Sequence, residues 1–399
     1  MKIEEPLAIH GGPPAVTRPP PIWPEADEHD RRALLAVLES RVWGGYHPAV
    51  EEVERRMAAI HGTTFGIAVA NGTVSLEVAL SAAGVGPGDE VIVPPISFVA
   101  SATAIARVGA VPVFADVDPQ TINLDPGRAA DAITARTRAI VLVHFAGCPA
   151  DLDRFVDLCR QRQLALIEDC AHAPGARWRG RPVGSFGAFG SFSFQASKNL
   201  TAGEGGMLLT SDPALAETAR SIAHQGRRTG GAWYEHVRLG TNARLTGFQA
   251  ALLLSQLDRL PDQMRRRHAA AGRLREGLQG VDGLDASPPM LDPRVEAHAY
   301  HIFSMRLDSG RFGAAREDVI AALGAEGVPV NAAYPHPLYR NPLFETQPHR
   351  VEGCPHAEAY CRDGIWLPHQ ALLAEPAWVG SVVDAIEKVR MASARLARV

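Results

Sequence analysis

The chain holds no apolar run long enough to span a membrane, and its acidic start, Met1-Lys2-Ile3-Glu4-Glu5, lacks the apolar segment of a secretory signal. A cytoplasmic protein is therefore expected. Cysteine is scarce: Cys148, Cys159, Cys170, Cys354 and Cys361 are scattered with no Cys-x-x-Cys pair, so neither a disulfide framework nor a zinc site of familiar spacing is indicated. No metal is expected, and the thiols are read as reduced and structural. Positive charge is not in excess either, with 40 Lys and Arg against 44 Asp and Glu for a formal net charge of −4. That leaves no basic field for nucleic acid or an anionic membrane, and Arg265-Arg266-Arg267-His268 reads as a solvated helix face.

Three common site motifs are also missing. There is no Walker A sequence and no Gly-x-Ser-x-Gly elbow. Gly203-Glu204-Gly205-Gly206-Met207 is not Gly-x-Gly-x-x-Gly, and it precedes an apolar run instead of leading from a strand into a helix, which argues against a dinucleotide site. Its glycines are expected to let backbone pass close to a flat ring or to Lys198.

What is present is ordinary globular material: 399 residues, 46% hydrophobic and 21% charged, enough for a large core and a second, smaller unit. Pro13-Pro14, Pro19-Pro20-Pro21 and Pro24 favour an extended arm suited to lying across a partner subunit. Amphipathic spacing predicts helices over 27–38 and 48–60. Compact apolar runs at 66–70, 90–93, 111–117, 139–145 and 164–168 then alternate with helices at 73–83, 100–107 and 151–162, the pattern of a mainly parallel α/β sheet. A helical pattern from Leu245 meets Pro261, which is expected to kink or divide it. We place the boundary there: residues 1–260 form the arm and a large cofactor-binding domain, and 261–399 a smaller C-terminal α+β domain. The latter carries a strand at 301–307, helices near 316–325 and 377–394, and a loop rich in proline and tyrosine at 334–344.

Ligands on parallel sheets collect beyond the carboxyl ends of strands. At one such end, Ala70-Asn71-Gly72-Thr73 opens a helix whose free N–H groups suit a phosphate, although Asn71 or Thr73 serves equally as an ordinary N-cap. At another, Leu164-Ala165-Leu166-Ile167 delivers Glu168 and Asp169. A carboxylate there can pair with a protonated pyridine nitrogen, and metal binding or capping of the next turn explains the pair as well. His172 fits a satisfied core histidine or a site residue. Lys198 follows an apolar strand in a polar, glycine-rich turn, where it could form a Schiff base with an aldehyde cofactor or be a solvated loop lysine.

In order, Asn71-Gly72-Thr73, Phe98, Glu168-Asp169-Cys170-Ala171-His172, Ser191 to Lys198, Gly203-Glu204-Gly205-Gly206 and Gly240 to Arg244 resemble the DegT-type sugar aminotransferases. The resemblance runs from about Ala8 to the C-terminal helix. It implies a fold type I, aspartate aminotransferase-like α/β enzyme that uses pyridoxal 5'-phosphate. Carried over by position, Lys198 is the Schiff-base lysine and Asp169 the partner of the pyridine nitrogen. Phe98 stacks on the ring, Gly72, Thr73 and Ser193 hold the phosphate, and His172 lies near the ring hydroxyl. Asn242 is given across the interface of a homodimer with shared sites. Tyr334, His336, Tyr339 and Arg244 are candidate substrate contacts; a structural loop and an interface ion pair account for them equally well.

Lys198 argues against the family's dehydratase branch, which has histidine at that position. The opening Leu7 to Pro14, Gln195, and Trp178-Arg179-Gly180-Arg181 look like the branch acting on scyllo-inosose-type cyclitols and aminohydroxybenzoate precursors, with glutamine as the usual donor and glutamate as the alternative. The expectation is amino transfer to a keto-sugar or keto-cyclitol. Another reaction on the same cofactor, and a regulatory protein that keeps the cofactor without turnover, stay open.

Overall fold

The structure is a computed structural model that describes residues 6–288 and 290–398; the acidic start Met1–Glu5 lies outside the described residues. Eight strands form the main sheet in the order Phe65–Val69, Gly206–Thr210, Phe189–Ser193, Ala165–Asp169, Thr137–Val143, Glu90–Val93, Val111–Phe114 and Arg350–Val351. All are parallel except Gly206–Thr210, which runs antiparallel to both neighbours.

Alternation along the strands explains why both faces are covered. Ile67, Val69, Val91, Val93, Val141, Ile167 and Leu208 pack to one side with Leu76 and Ile105. Ala68, Ile92, Val113, Ile140, Leu142, Leu166 and Leu209 face the other, against Val53, Met57, Phe155 and Leu253. Residues one apart point to opposite faces, so these near-continuous apolar runs need helices on both. Helices Pro48–His61, Gly72–Ala82, Ala100–Arg107 and Leu152–Arg162 lie within one or two residues of the expected bounds.

The C-terminal part builds a four-stranded antiparallel sheet from Leu284–Ala286, Ile302–Leu307, Gly364–Pro368 and Asn331–Ala332. Its core joins Phe303, Met305 and Leu307 to Leu323, Val382 and Ile386, and also to Leu7 and Val16 of the arm. The arm is thereby tied to the far end of the chain, where Ala8 N–H and Ala15 N–H donate to the Glu326 carboxylate at 2.8 and 2.9 Å.

For the long helix, one of two alternatives falls away and one expectation needs correction. Gly247–Leu278 is one helix of 32 residues, opened by a Thr246–Gln249 capping box, and Pro261 does not divide it. Nor is the Arg265–His268 run wholly solvated: Arg267 is fully buried. Its Nη2 donates to His369 Nδ1 at 3.1 Å, and its guanidinium lies 5.4 Å from the Trp23 ring centroid. Four consecutive residues make about one full turn of helix and so go round the whole cylinder, so at least one must face inward.

Candidate functional site

Because the parallel strands share a direction, their carboxyl ends meet on one edge. A cavity of about 680 Å³ opens there, lined among others by Gly72, Thr73, Phe98, Asp169, His172, Ser193, Lys198 and Tyr334. Eight of the expected residues thus come together. Gly72 starts its helix against the end of Phe189–Ser193 so closely that a Cβ on it would lie 2.6 Å from Ser193 Cβ. The glycine requirement here is a close approach, and it leaves the first N–H groups of an 11-residue helix facing the space beside the Ser193 hydroxyl. Asn71 is the N-cap, its Oδ1 accepting from Val74 N–H at 2.9 Å. The close approach at Gly206 is to the Asn71 carbonyl, 2.4 Å from a Cβ built there, and at Gly205 to the Phe194 ring, 3.2 Å from one.

Glu168 and Asp169 separate in role. Glu168 is fully buried: its carboxylate accepts from Gly184, Phe186 and Gly187 N–H at 2.7, 2.7 and 2.9 Å and lies 3.2 Å from His144 Nε2. His144 Nδ1 accepts from Ala150 N–H, so Nε2 carries the proton and donates to Glu168. His144, Glu168 and Cys170 would have metal-ligand spacing, but these bonds already occupy the carboxylate. Asp169 faces the cavity; Ser101 Oγ donates to its Oδ2 at 2.7 Å and Ala171 N–H to its Oδ1 at 3.1 Å.

Lys198 is half-buried in a tied-down turn. Gln195 Oε1 accepts from both the N–H and the hydroxyl of Ser197, while Trp23 Nε1 and His369 Nε2 donate to the Ala196 and Ser197 carbonyls at 3.0 Å each. Burial pulls the amine from the usual 10.5 down to about 8, against the opposing pull of Asp169. His172 is buried and held well below its ordinary value, by burial first and Lys198 second. Its Nδ1 has no hydrogen-bond partner, so it is not the satisfied core histidine that the sequence allowed. Phe98 is 59% exposed at the cavity wall, a large apolar face open to an occupant. Burial and Asp169 raise the Tyr334 phenol.

Four expected residues are not brought to this cavity. His336 lines a neighbouring one of about 1170 Å³, because the chain bends at Pro335-His336 and carries it away from Tyr334. Tyr339 instead donates to Glu358 at 2.9 Å. Asn242 is exposed, and Arg244 packs 5.7 Å over the Tyr46 ring; neither lines the cavity of this single chain. Sequence reasoning missed Ser97, Ser101 and His301, all of which line it. The serines flank Phe98 just beyond the strand Glu90–Val93, where the strand-end rule could have found them. His301 had no local signal.

The chain is similar over nearly its whole length to known proteins. A model described as the DegT/DnrJ/EryC1/StrS aminotransferase family matches residues 24–387. A putative L-glutamine:3-amino-2,3-dideoxy-scyllo-inosose aminotransferase of Micromonospora echinospora is 40% identical, over 96% of this chain and 97% of that protein. The 3-amino-5-hydroxybenzoate synthase of Amycolatopsis mediterranei is 38% identical over 89% and 93%. A crystal structure of 3-amino-5-hydroxybenzoic acid synthase superposes with a TM-score of 0.87 at 36% identity, covering 94% and 98%. The architecture is the fold type I arrangement expected.

Proposed function

We propose, for a chain that belongs to the DegT/DnrJ/EryC1/StrS aminotransferase family, that it binds pyridoxal 5'-phosphate and moves the amino group of glutamine, or of glutamate, to a keto-cyclitol or related keto-sugar. The observation that carries this reading is one cavity bringing a lysine of lowered basicity, a buried carboxylate, a helix start and an open aromatic face together. Three features support this cofactor. A flat ring would cover the exposed face of Phe98 and give the orphaned Nδ1 of His172 a partner, and a phosphate would meet the N–H groups at Gly72–Thr73 and the Ser193 hydroxyl.

When bound, the cofactor supplies an electrophilic aldehyde carbon and an electron-withdrawing ring. The protein's part is positioning and proton transfer. Asp169 offers its carboxylate to the protonated ring nitrogen. His172, kept neutral by burial, hydrogen-bonds without adding charge. Lys198 Nζ, which gives up its proton around pH 8, takes and returns a substrate proton; at an ordinary lysine pKa it would stay almost wholly charged there. Tyr334 closes the cavity beside Asp169, where a substrate hydroxyl could meet it.

Glutamine and cyclitol are favoured by the relatives named for them, at 37–40% identity over 85% or more of the chain. Asn242 then belongs to the partner's phosphate in a homodimer, and the enzyme to the cytoplasm. A second reading, an aromatising reaction of the aminohydroxybenzoate-synthase type, is supported by the 38% identity to the 3-amino-5-hydroxybenzoate synthase. Pure protein with pyridoxal phosphate, glutamine and 2-deoxy-scyllo-inosose should yield the keto acid of glutamine and an aminocyclitol in equal amounts by mass spectrometry. Acceptor loss without donor keto acid would favour the second reading. No keto acid from any donor with any keto-cyclitol or keto-sugar would sink amino transfer.

A further inference from the structure

Behind Asp169 stand two buried hydroxyls that no step above uses. Ser101 Oγ lies 2.7 Å from Asp169 Oδ2 and 2.7 Å from Ser97 Oγ, and the two serines are 1% and 4% exposed. Their protons can be placed by counting. An ionised carboxylate only accepts, and a serine hydroxyl has one proton. Ser101 spends its proton on Asp169, so the Ser97–Ser101 bond must be donated by Ser97. The chain therefore has one direction, Ser97 to Ser101 to Asp169, and a hydroxyl that has accepted a bond is a better donor for the next.

We propose that Ser101, backed by Ser97, is a positioning residue that fixes the Asp169 carboxylate for the ring nitrogen of the bound cofactor. Oδ2 is held by Ser101 and Oδ1 by Ala171 N–H, which locks the plane of the group while leaving each oxygen further acceptor capacity. Ser97, Phe98 and Ser101 all line the cavity and lie on one short segment at the start of Ala100–Arg107. A single turn of chain thus carries both the face for the ring and the brace for its nitrogen partner, so that ring plane and carboxylate move together. Charge-assisted bonds of this kind in a water-poor site are stronger than neutral ones, and their loss leaves the carboxylate free to rotate.

The inference rests on the cofactor reading and can be separated from it. Cofactor-free protein is titrated with pyridoxal phosphate and with its 1-deaza analogue, which lacks the ring nitrogen. The native protein should prefer pyridoxal phosphate. Ser101→Ala should cut affinity for pyridoxal phosphate by about tenfold while leaving the deaza analogue nearly unchanged. Ser101→Thr should restore the preference and Ser97→Ala should reduce it partly. In an Asp169→Asn background, Ser101→Ala should add nothing. Should the alanine variant not fold, Ser101→Cys, close in size but a weak donor, gives the same comparison. Equal weakening of both ligands, or of neither, overturns the proposal and makes the serines packing residues. Failure of the native protein to bind pyridoxal phosphate at all would overturn the cofactor reading, and this inference with it.

Discussion

His301 lies on His172, the ring centroids 4.1 Å apart and the planes inclined by 27°. The two rings come from different parts of the chain, one from the turn after Asp169 and the other from the residue just before the strand Ile302–Leu307 of the small sheet. Asn199 sets the outer ring: its Nδ2 donates to the Ala299 carbonyl at 2.7 Å, so its Oδ1 accepts the His301 Nδ1 proton at 3.0 Å. Nε2 of His301 is then an acceptor on the cavity side. Burial holds both rings well below the ordinary histidine value, and each lowers further beside Lys198.

That burial sets the acid limit of the fold. His61 and His224 are pulled down to about 4, and His172, His298, His301 and His369 well below 6.5, burial being the first cause in each. Below the unfolded value of about 6.5, the unfolded chain binds more protons than the folded one, so stability falls as pH falls. Urea midpoints of the cofactor-free protein should drop between about pH 6.5 and 4.5. A flat profile there would contradict the neutral, buried state of these rings.

For Lys198 the sign is also set by burial. Its amine, lowered to about 8, loses its proton two units or more before an ordinary lysine, and removing the opposing charge of Asp169 lowers it further. The rate at which cofactor-free protein takes up pyridoxal phosphate should rise with pH with a midpoint near 8, and that midpoint should move down in Asp169→Asn. The chain has three lysines, Lys2, Lys198 and Lys388, and Lys388 is paired with Glu326. Borohydride trapping should label the Lys198 peptide, and Lys198→Ala should remove that label and cut turnover by about a hundredfold or more.

Glu168 and Asp169 should respond in opposite ways to loss of charge. In Glu168→Gln, either orientation of the amide sets an NH2 against a backbone N–H that the carboxylate now accepts. The cost should be about 3 kcal/mol in denaturant unfolding of the cofactor-free protein. Asp169→Asn should cost under about 1 kcal/mol yet weaken cofactor binding. A Glu168→Gln protein as stable as the native one would show that the Gly184–Gly187 loop does not depend on that carboxylate.

Phe98 offers a comparable split. With more than half its surface exposed it contributes little to folding, so Phe98→Ala should shift the thermal midpoint of the cofactor-free protein only slightly. Stacking is worth about 1 kcal/mol beyond burial, so pyridoxal phosphate affinity should fall at least fivefold, about 1 kcal/mol. A large fall in stability with unchanged affinity would make Phe98 a packing residue.

Much of this was legible because it is local. Alternating and 3.6-residue patterns depend on neighbours in sequence, so the strands through Asp169 and the helices Pro48–His61, Gly72–Ala82 and Ala100–Arg107 were found with nearly correct ends. The strand-end rule then pointed to Gly72, Asp169 and Lys198. Short pieces escaped it, among them Pro126–Asp131, Leu284–Ala286 and Arg350–Val351, which are too brief to show a period and are held by what they pack on.

By itself the sequence determined which residues carry the chemistry at each strand end, since backbone direction and side-chain type suffice for that. Only the tertiary structure decided which of them share one space. It set Tyr334 in the cavity and His336 outside, committed Glu168 to a loop and Asp169 to the site, buried Arg267 behind the lysine turn, and stacked His301 on His172. Each of those outcomes depends on contacts between segments far apart in the chain, where burial and hydrogen-bond satisfaction, and not local pattern, select the arrangement.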